Sequence, residues 1–154
     1  MGTATHEDAI RTLYRQVIRG WNEHSASGMS APFAADGELI GFDGSHLIGR
    51  AAIFTHLHDV FSHHLTPPFV YKIKSACLLS EEVGMVLAMV GMIPPGKDEL
   101  DPALHAHQTL VAKKQGEQWE AVLFQNTPAQ FHGRPELVEQ FTEELRPLVR
   151  QQLF

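Results

Sequence analysis

The spacing of apolar residues changes along this chain, and the change limits the folds it can adopt. Up to His64, apart from a short strand-like hairpin at residues 37–48, they recur every three or four positions, as on one face of a helix. From Phe69 to Asn126 they form long strand-like segments separated by turn residues. Helices followed by a run of strands indicate an α+β fold rather than a doubly wound sheet. Long antiparallel strands that cover three helices are expected to curl into an open-ended cone.

Four helices and six strands are predicted. A capping box at Thr5 and Asp8 starts the first helix, Pro135 opens the last, and a kink is expected at Pro147. The predicted helices span residues 5–21, 27–34, 50–64 and 135–153. A hairpin turning at Asp43-Gly44 contributes two strands, and the chain after the third helix contributes four. The predicted strands span residues 37–42, 46–48, 69–79, 83–93, 105–114 and 118–126.

Composition predicts one globular domain over residues 1–154, with a core at about 5–130 and a C-terminal helical extension at about 134–153. Hydrophobic residues make up 44% and charged residues 19%, which is not the signature of a disordered chain. The formal charge of -6 argues against nucleic-acid binding, which requires a clustered cationic excess. No nucleic-acid partner is expected.

Neither a disulfide nor a membrane segment is expected. Cys77 is the only cysteine, so no intrachain disulfide can form. The first residues lack a signal-peptide pattern, and the longest apolar run, residues 83–93, is too short to span a bilayer. We therefore expect a soluble cytoplasmic protein without membrane contact.

Several short motifs occur in a characteristic order between Asp8 and Thr127. They are Trp21-Asn22, Phe33-Ala34-Ala35-Asp36-Gly37, Phe42-Asp43-Gly44, Leu47-Ile48-Gly49-Arg50-Ala51-Ala52-Ile53, Thr109-Leu110-Val111, and Trp119 leading to Phe124-Gln125-Asn126-Thr127. Together they resemble the NTF2-like superfamily with its cystatin-like fold, and within it the SnoaL-like and SgcJ/EcaC-type branch. The resemblance implies a curved antiparallel sheet around three helices, an apolar pocket, and a homodimer formed through the outer sheet face. It does not cover the C-terminal helix.

Function varies widely within this superfamily, so the fold alone does not assign it. The ketosteroid isomerases use a tyrosine on the first helix, an aspartate base on the first strand and a protonated aspartate on a later strand. Approximate alignment places Val17, Gly41 and Thr109 at these positions. None of the three residues can carry the corresponding proton chemistry, which disfavours steroid isomerisation.

His56 is the first candidate catalytic residue. It lies three residues after Ile53 and four before Val60, on the apolar stripe of the third predicted helix. An imidazole facing an apolar pocket could act as acid, base or hydrogen-bond donor. The alternative is a histidine with a structural hydrogen bond at the edge of the core.

The last predicted hairpin supplies the second candidate, His107. A two-residue turn at Gln115-Gly116 or Gly116-Glu117 pairs odd positions of one strand with even positions of the other. His107 and Thr109 would then share the pocket face with Phe124 and Asn126. A three-residue turn would reverse this relation and bring Gln125 into the pocket instead.

The predicted site thus has two catalytic histidines and ten ligand contacts. The catalytic candidates are His56 and His107, and the predicted ligand contacts are Val17, Trp21, Phe33, Phe42, Ile53, Leu57, Thr109, Phe124, Gln125 and Asn126. For most of the apolar members, packing in the core is the alternative.

No cofactor or metal is expected. His105-x-His107 on a strand and His56 on a facing helix invite a metal interpretation, but no cysteine or glutamate cluster completes a ligand set. The sequence contains no Gly-x-Ser-x-Gly elbow, phosphate-binding loop or dinucleotide fingerprint.

Two functional hypotheses follow from the resemblance and the few polar candidates. The first is a small-molecule pocket protein, a cyclase, dehydratase or isomerase-like enzyme acting on an apolar or polyketide-like substrate. The second is a non-catalytic ligand-binding or assembly module, in which the amphipathic C-terminal helix packs on a partner or covers the pocket.

Overall fold

Four helices and a six-stranded sheet make up the computed structural model, which describes the backbone of residues 3–154 and the side chains of residues 5–154. The helices are α1 (Thr3–Asn22), α2 (Ala26–Ser30), α3 (Arg50–His63) and α4 (Pro135–Leu153). The strands are β1 (Phe33–Ile40), β2 (His46–Ile48), β3 (Phe69–Leu78), β4 (Val83–Met92), β5 (Ala106–Gln115) and β6 (Gln118–Pro128), with a short 3₁₀ helix at Pro102–Leu104. The predicted α+β class is confirmed.

Local differences from the predicted bounds have simple causes. Thr5 lies inside α1 and is not its N-cap. Ser25 caps α2 by accepting a hydrogen bond from the backbone N–H of Gly28 at 2.9 Å. Strand β1 starts at Phe33, four positions before the predicted start, since Phe33 pairs with Ala121 of β6 and is fully buried. Helix α4 continues through Pro147.

The sheet has the order β2-β1-β6-β5-β4-β3 and encloses α1 on its concave face. Neighbouring strands run antiparallel except β1 and β6, which are parallel. A parallel pair needs a long crossover, and the chain between these two strands, including α3, supplies it. The first strand is therefore placed beside the last.

Irregularities in the strands bend the sheet. The register shifts between Ile73 and Ser75 of β3 and again opposite Val111 and Ala112 of β5. An inserted residue bends a strand and increases its twist. In β1, a Cβ at Gly37 would lie 2.7 Å from the backbone oxygen of Ala121, so glycine permits the close approach of β1 to β6.

Two apolar cores lie on opposite faces of the sheet. The inner core joins α1, α2 and α3 to the concave face, and Tyr14 and Phe33 are its largest fully buried side chains. The outer core joins α4 to the convex face through Phe141 and Leu145, which pack on Val70 and Met89. The C-terminal helix is thus part of the packed structure.

Helix α4 also makes hydrogen bonds to backbone and side-chain groups of the edge strand β3. The side-chain amide of Gln152 accepts a hydrogen bond from the backbone N–H of Tyr71 at 2.9 Å and donates to its carbonyl oxygen at 2.8 Å. Glu144 accepts hydrogen bonds from Lys72 and Lys74 at 3.0 and 2.8 Å. These contacts cover an edge that would otherwise offer free backbone groups.

Candidate functional site

A cavity of about 280 Å³ lies inside the cone, between α3, the end of β1 and the last residues of β4 and β6. Its polar side chains are Asp43, His56 and Asn126. The remaining lining is apolar and consists of Trp21, Met29, Leu39, Ile40, Gly41, Phe42, Leu57, Val60, Phe69, Met92, Leu104 and Phe124. This composition suits an apolar molecule oriented by few polar contacts.

Six residues predicted for the site line this cavity. They are Trp21, Phe42, His56, Leu57, Phe124 and Asn126. Helix α3 contributes His56 and Leu57 from one turn, Phe124 and Asn126 alternate along β6, and Trp21 lies near the end of α1. Their roles toward a ligand stay predictions.

Three predicted apolar contacts lie in the core instead of the cavity lining. Val17, Phe33 and Ile53 each have 0% exposure and pack in the inner core. They are not part of the lining of this cavity, and their predicted contact with a ligand stays a prediction. The apolar stripe of a helix does not distinguish a residue beside a void from one packed against other side chains.

The predicted pocket face of β5 is also wrong, for a reason that lies in β6. The turn is the predicted two-residue type, since Gln115 pairs with Gln118 across Gly116-Glu117. A bulge then inserts Val122, so that Val111 pairs with Leu123 while Ala112 pairs with Ala121. Beyond the bulge odd positions pair with odd ones, so the inward positions of β6 change from odd to even, and Phe124 and Asn126 share the inner face with the even positions of β5.

His107, Thr109 and Gln125 therefore lie on the outer face of the sheet, away from the cavity. Thr109 pairs with Gln125 across the strands. His107 is exposed and contacts the rings of Phe131 and Phe141, with centroid separations of 6.5 and 5.4 Å. The predicted placement of these three residues in the pocket is wrong.

The three histidines of the metal interpretation do not converge. His105 and His107 lie under or beside α4 on the outer face, whereas His56 lines the cavity on the inner side. Among the described residues, no group of three histidine, cysteine, aspartate or glutamate side chains could hold a metal ion.

A buried polar chain reaches the cavity from inside the core. The Tyr14 hydroxyl donates to Gln108 Oε1 at 2.6 Å, and Gln108 Nε2 donates to Asn126 Oδ1 at 3.5 Å. Tyr14 and Gln108 are both fully buried. Burial raises the pKa of Tyr14 well above its usual value, and the nearby Tyr71 adds to this, so the phenol stays protonated.

This hydrogen-bonded series of Tyr14, Gln108 and Asn126 was not predicted from the sequence. Tyr14 fits the apolar stripe of α1. With the two-residue turn and no bulge, Gln108 lies on the strand face opposite His107 and Thr109, which is the outer face in that prediction. A polar residue among buried strand positions was the available signal. Gln108 could be placed on the cavity side, opposite Asn126, only if the bulge in β6 was known.

Asp43 and His56 lie at the mouth of the cavity. Asp43 Oδ1 accepts a hydrogen bond from the backbone N–H of Ser45 at 2.9 Å in the β1–β2 turn. That bond is the main cause of the lowered pKa of Asp43, to which the charge of His56 contributes in the same direction. The turn thus holds an ionised carboxylate near the imidazole.

Trp21 and Phe69 form one aromatic wall of the cavity, and hydrogen bonds from the end of α1 to Pro67 and Phe69 hold this wall in place. Trp21 Nε1 donates to the carbonyl oxygen of Pro67 at 2.9 Å. The indole ring packs against Phe61 and Phe69 with centroid separations of 5.4 and 5.3 Å. Asn22 pairs with both backbone groups of Phe69, at 2.8 and 3.2 Å. This wall of the cavity is therefore preorganised.

Another depression lies outside the cone, between α1 and the β5–β6 turn. Arg19, Glu23 and Glu120 contribute to its lining. Charged side chains of both signs make it a poor site for an apolar molecule. The inner cavity is the better candidate.

Solved structures with the same architecture come from several bacteria. A domain of unknown function with a cystatin-like fold from Nostoc punctiforme superposes with a TM-score of 0.79 at 25% identity, over 97% of this chain and 96% of that one. The fold is NTF2-like. An NTF2-like protein of unknown function from Pseudomonas putida gives a TM-score of 0.66 at 21% identity, covering 82% of this chain and 88% of the other.

A ketosteroid isomerase-like protein from Erwinia carotovora atroseptica gives a TM-score of 0.64 at 14% identity, over 78% of this chain and 93% of that one. No protein-family model matches the sequence, and no curated protein matches it. These structural similarities establish the architecture and do not identify a reaction. Within residues 3–154, every helix is too short or too polar to cross a membrane.

Proposed function

We propose that this protein binds one small apolar molecule inside the cone. The observation that carries the proposal is the cavity itself, in which three polar side chains stand among twelve apolar or glycine residues. Such a lining favours desolvation of an apolar body while Asp43, His56 and Asn126 set its orientation.

Proton transfer by His56 is the enzymatic form of this proposal. His56 is the imidazole of the described cavity lining, and an imidazole can both accept and donate a proton. The ionised Asp43 nearby would stabilise the imidazolium formed after His56 takes a proton. Isomerisation, dehydration or cyclisation of an apolar, polyketide-like substrate would use such a group.

Native mass spectrometry of the purified protein tests ligand binding directly. We expect an apolar metabolite retained by the wild type and lost from Gly41→Phe. Gly41 lines the cavity, its φ is not positive, and its nearest neighbour to an added Cβ is Asp43 at 3.5 Å. Gly41→Ala is the matched control and should keep the molecule. A mass without any ligand, in protein from its native source, would contradict the proposal.

Catalysis is tested once that molecule is identified. We expect His56→Ala to lower its turnover by about 100-fold or more, as for loss of an acid or base. His58→Ala is the control, because His58 is exposed on the same helix and is not part of the cavity lining. Equal turnover in the wild type and His56→Ala would leave a binding protein without a catalytic histidine.

Assembly of two copies is a second candidate role. Helix α4 covers only part of the outer face, and Leu87 there is 36% exposed. Met85, Val111 and Leu123 are half-buried neighbours on the same face. A second copy would bury this apolar strip, which fits the homodimer that the resemblance implies.

Light scattering tests the dimer. We expect the wild type to have twice the monomer mass at micromolar concentration and Leu87→Lys to be monomeric. Leu79→Lys is the control, since Leu79 is 61% exposed in the turn after β3. A monomeric wild type would contradict assembly through this face.

A further inference from the structure

The direction of the buried polar chain determines what Asn126 offers to a ligand. The Tyr14 hydroxyl is fully buried, and its proton needs an acceptor. Gln108 Oε1 at 2.6 Å is that acceptor, so Gln108 Nε2 faces Asn126 Oδ1. With both amides reversed, the Tyr14 proton would have no acceptor among the residues that the structure describes. In the orientation that satisfies the buried hydroxyl, Asn126 Oδ1 is bonded to Gln108, and the Asn126 amide nitrogen is free to donate to a ligand in the cavity.

An amide nitrogen donates hydrogen bonds and does not accept them. Asn126 is half-buried and lines the cavity, and no protein group among the described residues accepts a hydrogen bond from its nitrogen. A ligand that satisfies this donor must present an acceptor oxygen. A purely hydrocarbon ligand would leave it unpaired, which is unfavourable.

The charges around the cavity favour a neutral acceptor. Its described lining contains no lysine or arginine, the positive charge that His56 can carry is balanced by the nearby Asp43, and Asp43 itself supplies a negative charge at the mouth. A carboxylate ligand would lose hydration and meet a like charge, whereas the oxygen of a ketone or aldehyde loses little. Repulsion by Asp43 thus favours the binding of carbonyl compounds over the binding of acids of similar shape.

The volume and the walls limit the rest of the molecule. An apolar protein cavity of about 150 Å³ holds a benzene molecule. At about 280 Å³, this cavity has room for roughly twice that, which corresponds to a two-ring body. Aromatic rings of Trp21, Phe42, Phe69 and Phe124 contribute to the lining and favour a flat aromatic or polyene surface.

We infer that the ligand is a neutral, flat, two-ring-sized ketone or aldehyde whose oxygen accepts a hydrogen bond from Asn126 Nδ2. Tyr14 and Gln108 act as positioning residues that hold the amide in this orientation. The inference rests on the proposed function and specifies the chemical class of its ligand.

Calorimetric titration with three probes of one size tests the inference. The probes are 2-acetylnaphthalene, 2-ethylnaphthalene, which lacks the oxygen, and 2-naphthoate, which is an anion. We expect the ketone to bind about fivefold or more tightly than the hydrocarbon, as for one hydrogen bond. The naphthoate should bind most weakly of the three.

Asn126→Asp is the decisive variant. It keeps an acceptor oxygen for Gln108 Nε2 and replaces the donor nitrogen with a second oxygen, at nearly unchanged shape. We expect it to lose the preference for the ketone while still binding the hydrocarbon. Gln125→Glu is the matched control on the outer face and should keep the preference. Gln108→Leu should weaken the preference, because it releases the Asn126 amide.

The outcomes separate this inference from the broader function. Equal binding of the ketone and the hydrocarbon by the wild type would overturn the carbonyl inference and leave an apolar pocket protein. Tightest binding of the naphthoate would overturn the preference for neutral ligands. If none of the probes bound, the inferred ligand class would be wrong, while the retained-ligand mass would still decide the proposed function.

Discussion

The hydroxyl of Tyr14 lies 2.6 Å from the side-chain oxygen of Gln108, which links α1 to β5 across 94 positions of the chain. Both residues have 0% exposure, so this hydrogen bond cannot be replaced by bulk water. A buried acceptor left without its donor carries the full cost of its lost hydration. The bond therefore contributes to stability as well as to the orientation of Asn126.

Tyr14→Phe should lower the free energy of unfolding by about 1–3 kcal/mol, because Gln108 Oε1 is left unpaired. Urea denaturation followed by circular dichroism measures the change. Tyr71→Phe is the control, since Tyr71 is half-buried and its ring packs edge-on against Tyr14 at 5.7 Å. Equal stability of wild type and Tyr14→Phe would show that the hydrogen bond contributes nothing.

The register of the last hairpin shows why the site was only partly predictable. Alternation from the two-residue turn correctly pairs Lys113 with Glu120. The bulge at Val122 then reverses the alternation of β6, so Asn126 lies opposite Gln108 on the inner face and His107 lies on the outer face. Nothing in the residue types around Val122 distinguishes a bulged strand from a regular one. Phe124 and Asn126 line the cavity, on the face that the two-residue turn predicted for them.

A close approach between α1 and α2 gives the next prediction. A Cβ at Gly20 would lie 2.2 Å from the backbone nitrogen of Met29. Because the contact is with backbone, a side-chain rotation cannot relieve it. Gly20→Ala should therefore cost about 1–3 kcal/mol, as for overpacking, although alanine favours the helix itself.

Thermal and urea unfolding of Gly20→Ala measure this cost. Gly96→Ala is not a suitable control, because Gly96 has a positive φ. Arg19→Ala is the better one, since Arg19 precedes Gly20 on α1 and is exposed. A Gly20→Ala protein as stable as Arg19→Ala would show that α2 can move away freely.

The element order was more predictable than the site, because long periodic segments report local structure directly. Strand β2 occupies the predicted residues 46–48, and β4 ends one residue before the predicted bound. The parallel pairing of β1 with β6 was not predictable in this way. It depends on contacts between distant segments, which hydrophobic period does not encode.

The docking of α4 through one aromatic residue can be measured separately. Phe141 is 4% exposed and stacks on His105 at a centroid distance of 4.7 Å. Phe141→Ala should cost about 3–5 kcal/mol through the cavity it leaves. Phe154→Ala at the end of the chain, where the side chain is 92% exposed, should cost almost nothing. Similar losses in both variants would contradict an anchoring role for Phe141.

The buried side chain of His105, which packs against α4, predicts a loss of stability in mild acid. Thr142 Oγ1 donates to the carbonyl oxygen of Val138 at 3.0 Å and therefore accepts from His105 Nε2 at 2.8 Å. His105 Nδ1 is then a buried acceptor without a partner in the described part of the chain. A proton added there would create a buried charge with an unpaired donor. Burial accordingly lowers the pKa of His105, and the charge of Asp101 opposes the shift only in part.

A lowered pKa in the folded state means that the unfolded chain binds the proton more readily. His105 therefore costs no stability above its unfolded pKa of about 6.5, and stability falls as the pH drops from there through the folded value. The urea midpoint of the wild type should fall more between pH 7.5 and pH 5.5 than that of His105→Gln. Glutamine can still donate to Thr142 but does not titrate, and the other nine histidines are common to both proteins. Equal acid sensitivity of the two would mean that His105 takes up its proton inside the fold without penalty.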